Sequence, residues 1–154
     1  MNSKYFMNEA INEAKKAYKK QEVPVGCVIV VDDKIVARAH NLRHNEKNSL
    51  YHAEILAISR ACNKLGRWIL DDATIYVTLE PCIMCGGAII QSRMKKLVYA
   101  KEEPKFGCVE SNINLFTDYK FNHKVEVEKV PYGSEVEKIM VDFFKDLRKS
   151  KNPD

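Results

Sequence analysis

The apolar residues of this chain switch repeatedly between helical and strand periods, and that alternation constrains the fold more than any other feature. Met7, Ile11, Ala14 and Tyr18 fall on one stripe of a helix from about Ser3 to Lys20, with Lys15, Lys16 and Lys19 away from it. Cys27 to Val31 and Lys34 to Ala39 are apolar, partly β-branched runs about Asp32-Asp33, which predicts a hairpin. After a polar loop from Asn41 to Ser49, a helix runs from about Tyr51 to Leu65 and stops at Gly66. Thr74 to Leu79 is a third strand, Glu80-Pro81 breaks it, and Pro81 is placed to be the first residue of a helix to about Ser92. Lys96 to Ala100 and Val125 to Val130 supply the fourth and fifth strands. Ser134 with Glu137 fits a capping box at the head of a last helix, which carries Val136, Met140, Phe143, Phe144 and Leu147 to about Lys149. The order predicts a sheet covered by helices, a three-layer α/β/α architecture in one domain spanning residues 1–154.

The bulk properties narrow the function classes. A chain of 154 residues with 45% apolar and 30% charged residues has the profile of a globular protein. Apolar stretches such as Val23 to Val31 fall far short of the roughly 20 residues a membrane span needs. Met1-Asn2-Ser3-Lys4-Tyr5 has no apolar signal core, so the expected compartment is the cytoplasm and no membrane partner is expected. Cysteines at 27, 62, 82, 85 and 108 form an odd, irregular set, which argues for reduced thiols, either buried or metal-binding. The net charge of +4 permits an acidic partner without demanding one.

Two short segments carry the chemistry: His52-Ala53-Glu54 and Pro81-Cys82-Ile83-Met84-Cys85, each where a loop or strand enters a helix. At a spacing of three, Cys82 and Cys85 share a helix face and can hold one metal. The positive end of the helix lowers a thiol pKa and favours the thiolate that binds zinc. His52 adds a third ligand, and three protein ligands leave the fourth tetrahedral position open, as in a catalytic site. Cys27, Cys62 and Cys108 lack a matching partner and read as packing residues. Zinc with two thiolates and a neutral imidazole has no net charge and is a mild Lewis acid, so a nearby base such as Glu54 becomes useful. Residues two apart on a helix point nearly opposite ways, so His52 must stand at the very start of its helix, or Glu54 must reach back.

His-x-Glu followed by Pro-Cys-x-x-Cys is the zinc deaminase signature. Glu22-Val23-Pro24-Val25-Gly26, Ala39-His40-Asn41, Thr78-Leu79-Glu80-Pro81-Cys82-Ile83-Met84-Cys85-Gly86-Gly87-Ala88, Ser92-Arg93 and Asp142-Phe143-Phe144-Lys145 carry a wider likeness. Over nearly its whole length the chain resembles the bacterial tRNA-specific adenosine deaminases, a branch of the cytidine deaminase-like fold. The resemblance implies a central five-stranded mixed sheet, one zinc ion per subunit on His52, Cys82 and Cys85, and Glu54 as the proton carrier. It implies hydrolysis of the wobble adenosine of a tRNA anticodon to inosine with release of ammonia, by a homodimer, with no DNA substrate. Asn41, the backbone around Val25 and the N–H of Ala53 would meet the flipped base, while Lys105, Ser111, Phe144 and Arg148 would hold the anticodon loop.

The chain departs from that pattern in three places. Asn48-Ser49-Leu50-Tyr51 replaces a run of the Asp-Pro-Thr-Ala type, Phe106 and Glu110 stand where small residues are common, and Ala100-Lys101 replaces Gly-Ala. Two other readings use the same residues: a deaminase of a free base or nucleoside, and a non-catalytic zinc module that binds RNA or protein. The last helix and the basic loop favour a polymer over a small substrate, and Glu54 speaks against a purely structural metal site.

Overall fold

The computed structural model describes residues 2–151; residue 1 and residues 152–154 of the expected 1–154 domain lie outside the described residues. Five strands form one mixed sheet in the order β2-β1-β3-β4-β5. They are β1 (Gly26–Val31), β2 (Lys34–His40), β3 (Thr74–Leu79), β4 (Lys96–Lys101) and β5 (Glu126–Lys129). β1 pairs antiparallel with β2 and β3, whereas β3, β4 and β5 run parallel.

Helices α1 (Ser3–Lys19) and α4 (Gly133–Lys151) cover one face of the sheet. Asn2 caps α1 by accepting from the Tyr5 N–H at 3.1 Å. The helix buries Phe6, Met7, Ala10 and Ile11 against Val28, Val30, Tyr76 and Val98, the strand positions that alternate toward it. Its backbone lies so close to β1 that a Cβ on Gly26 would sit 1.9 Å from the Ala10 carbonyl oxygen. Helices α2 (Ala53–Leu65) and α3 (Ile83–Gln91) cover the other face, over Cys27, Ile29, Ile75, Val77, Leu97 and Tyr99. Gly66 ends α2 in the left-handed region at φ 68°, its N–H donating to the Cys62 carbonyl.

A parallel pair needs a crossover, usually a helix. Between β4 and β5 it is instead an irregular segment, residues 102–125. Its Cys108, Val109, Leu115, Phe116 and Val125 pack into the same core as α2 and α3.

The structure corrects three local expectations. α2 begins at Ala53 rather than Tyr51, because His52 is extended (φ −71°, ψ 155°). α3 begins at Ile83 rather than Pro81, because Cys82 is also extended and pairs with Gly107 in an isolated antiparallel bridge. Ser134 lies inside α4 and heads no capping box; Glu137 faces Lys101 at 3.8 Å instead.

Candidate active site

β3 runs in parallel with β4 and leads directly into α3, so Cys82 emerges at the carboxyl end of the parallel strands. α2 starts beside it, and two helix N-termini converge there with His52 and Cys82 as their N-cap residues. Neither side chain makes a capping hydrogen bond, so both are free to point at a shared ligand. The positive helix ends favour thiolate at this point.

His52 Nδ1 lies 3.5 Å from Cys82 Sγ and 3.4 Å from Cys85 Sγ, and the three ligand atoms fall within 4.8 Å of one another. A tetrahedral zinc with ordinary Zn–S and Zn–N bonds sets its sulfur and nitrogen ligands about 3.6 Å apart. Both nitrogen–sulfur separations match that value, and the cluster could hold a metal ion through three protein atoms.

Protonation favours the same conclusion. A hydrogen bond from the Cys85 thiol, assisted by one from His52, draws the Cys82 thiol down to about 4 against its burial. That bond to Cys82, then burial, pushes the Cys85 thiol well up, so the metal-free pair shares one proton that a cation displaces. Glu54, in the first turn of α2 and 3% exposed, is pushed up to about 7 by burial. A carboxyl held there can both take and give a proton near neutral pH. Burial raises the Cys27 and Cys108 thiols, Cys108 to about 12. Cys108 donates to the Cys82 carbonyl oxygen at 3.3 Å instead of joining the cluster.

Two buried glutamates that sequence reasoning passed over as site residues shape the surroundings. Glu80, 2% exposed, accepts the N–H groups of Glu103, Val109, Glu110 and Ser111 at 2.9, 2.8, 2.8 and 3.1 Å, and the Ser111 hydroxyl. Burial opposes its charge, but these donors outweigh it and hold the carboxyl below its usual range. Glu22 does the same for the loop after β2, accepting from the backbone of His44 and Asn45. The readable signal was a charged residue inside a strand-and-proline context where nothing charged should be buried without partners.

The remaining candidates are distributed as follows. Asn41, 6% exposed, donates to the Val23 carbonyl oxygen at 3.4 Å and accepts the Arg43 N–H at 3.2 Å, which leaves its second amide hydrogen for a ligand. Val25 is half-buried and its carbonyl oxygen accepts the Asn41 N–H. Ala53 is buried as the first residue of α2, where helix geometry provides its N–H no partner. Lys105 is exposed. The Ser111 hydroxyl is committed to Glu80. Phe144 and Arg148 are exposed on α4, next to the Tyr18–Asp146 hydrogen bond that ties α4 to the end of α1. Glu110 turns to the Tyr99 hydroxyl at 2.7 Å and to Lys129 at 2.8 Å, so its charge is paired at the surface.

On a mixed sheet of this order, a His/Cys/Cys cluster beside a buried carboxylate defines a deaminase with the cytidine deaminase-like fold. The chain belongs to the MafB19-like deaminase family, whose model matches residues 1–148. It is 49% identical over 146 residues to a tRNA-specific adenosine deaminase of Bacillus subtilis (strain 168), covering 95% of this chain and 91% of that one. A solved structure from work on A-to-I editing by tRNA:A34 deaminases at the wobble position superposes with a TM-score of 0.85 at 39% identity, covering 88% of this chain and 99% of that one. A guanine deaminase from Bacillus subtilis is more distant, with a TM-score of 0.65 and 29% identity over 97% of this chain and 95% of that one. Among the described residues no helix is long and apolar enough to cross a membrane.

Proposed function

We propose that the chain is a single-domain, zinc-dependent hydrolase that deaminates the wobble adenosine of a tRNA anticodon to inosine and releases ammonia. The observation that carries the reading is the His52, Cys82 and Cys85 cluster at zinc-compatible spacing with Glu54 buried beside it. His52 Nδ1 and the two cysteine sulfurs would hold one zinc ion per subunit, and zinc bound there supplies the Lewis acid that makes water nucleophilic near neutral pH. The Glu54 carboxylate would accept one proton of the attacking water and pass it to a ring nitrogen of adenine as the C6–O bond forms, then take the remaining hydroxyl proton and pass it to the departing amine as the C6–N bond breaks. The Ala53 N–H and the free amide hydrogen of Asn41 orient the base, and the backbone at Val25 lines its pocket. Lys105, Phe144 and Arg148 grip the anticodon loop, and Ser111 acts on it by holding the loop at Glu80 in place. The expected setting is a cytoplasmic homodimer with tRNA as partner and neither DNA nor membrane. The identity to tRNA-specific adenosine deaminases along almost the whole chain supports the substrate class.

The test is incubation of the zinc-loaded protein with an anticodon stem-loop bearing adenosine at the wobble position, beside free adenosine, guanine and cytidine. Inosine in the stem-loop alone is the expected result. Turnover of a free base with a silent stem-loop would overturn the tRNA reading and keep the metal chemistry.

A further inference from the structure

Phe106 is 70% exposed, more than any other large apolar side chain among the described residues. A singly exposed apolar residue is ordinary on a protein surface; here the setting matters. The next residue, Gly107, pairs with Cys82, so the ring stands one residue from the backbone that pairs with a proposed metal ligand. Glycine is required at that pairing, because a Cβ on Gly107 would sit 2.2 Å from the Glu80 carboxyl carbon. The Glu80 carboxylate fixes the backbone on both sides of Phe106, at Glu103 and at Val109 to Ser111. The Cys108 N–H donates to the Pro81 carbonyl oxygen at 2.9 Å, and the Gly107 N–H to the Glu103 carbonyl oxygen at 2.9 Å. A loop held so firmly keeps the ring outside the core. Lys105 is exposed beside it. The other exposed apolar side chains next to the ligands, Leu50 and Ile83, are aliphatic and offer no aromatic face.

A rigid aromatic face with an adjacent cation is the combination that grips single-stranded nucleic acid, the ring stacking on a base and the cation meeting phosphate. We propose that Phe106 is a specificity-determining residue that stacks on a nucleobase neighbouring the adenosine under attack, with Lys105 on the adjoining phosphate. This rests on the tRNA reading above.

The experiment compares the zinc-loaded wild type with Phe106→Leu and Phe106→Trp on wobble-adenosine stem-loops. Two further stem-loops carry an abasic residue on the 5′ or the 3′ side of that adenosine. Phe106→Leu is expected to raise KM about tenfold, within the range that base–aromatic stacking gives, with zinc content and Tm unchanged, and Phe106→Trp to restore it. On one of the two abasic stem-loops the difference between wild type and Phe106→Leu should vanish, because ring and base are then a coupled pair. Equal KM values for wild type and Phe106→Leu would overturn the inference, as would an undiminished difference on both abasic substrates. A changed oligomeric state in Phe106→Leu would also overturn it, assigning the ring to a protein interface. A wild type inactive on every stem-loop defeats the tRNA reading itself, which separates that failure from a failure of the stacking role.

Discussion

Replacing Glu80 with glutamine keeps the shape of the side chain and removes its charge. One Glu80 oxygen accepts three N–H groups, from Val109, Glu110 and Ser111, and the other accepts the Glu103 N–H and the Ser111 hydroxyl. Glutamine has one acceptor oxygen, which best serves the three-donor side. Its NH2 then faces the Glu103 N–H, donor against donor, while the Ser111 hydroxyl can turn to accept. The three retained bonds weaken from charge-assisted to neutral, about 1 kcal/mol each, and one half-buried N–H loses its acceptor at about 1 kcal/mol. Removing a buried charge returns part of this as relieved desolvation, so the net expected loss is about 3 kcal/mol. Urea unfolding of the zinc-loaded protein measures the loss. Amide hydrogen exchange measures where it falls, with faster exchange at 103 and 109–111 expected before global unfolding. A loss under about 0.5 kcal/mol, the level of an ordinary surface change, with unaltered exchange at those amides would refute the reasoning.

Glu54→Ala is expected to keep zinc and lose deamination by several orders of magnitude; metal analysis beside a rate assay checks both, and an active variant would remove the proton-carrier role. Cys85→Ala should bind zinc weakly and melt earlier, since only two protein ligands remain, and full zinc occupancy would contradict the cluster. Glu13 is raised by burial but held down to about 2 by hydrogen bonds from His40 and Lys16, so its contribution is present above the ordinary value of 4.5 and disappears as pH falls through about 2. Glu13→Gln should therefore flatten the acid limb of the stability curve between those values, by at most about 3 kcal/mol, as read by denaturant titrations from pH 5 to 2. Gly26→Ala drives a methyl into the backbone of α1 and should lower Tm by well over 5 °C.

Much of this was readable before any coordinate. The strand at Thr74–Leu79 matches residue for residue, because β-branched residues end there at a Glu-Pro break. The requirement that His52 stand at the very start of its helix is met by its extended N-cap backbone, with Glu54 inside the first turn. The helix starts at Tyr51 and Pro81 were misplaced by two residues, since helical periodicity cannot reveal that a residue is extended in order to aim its side chain. The family likeness implies a mixed sheet without saying which strands pair, and the parallel pairing of β4 with β5 has no local signal, because the connecting segment has no period to read. Its order comes from Glu80, a carboxylate distant in sequence, and such pairing lies beyond local pattern.

The irregular crossover between β4 and β5 bears on how selectivity can change. In many enzymes the variable loops hang from a finished scaffold and can be exchanged without disturbing it. Here one stretch of chain supplies Cys108, Val109, Leu115 and Phe116 to the interior and presents Lys105 and Phe106 outward, within a few residues of each other. Wholesale replacement of the segment would strip part of the interior along with the proposed recognition surface. Substitution that spares the core is thereby left to the outward positions of the segment, Lys105, Phe106 and Glu110 among them.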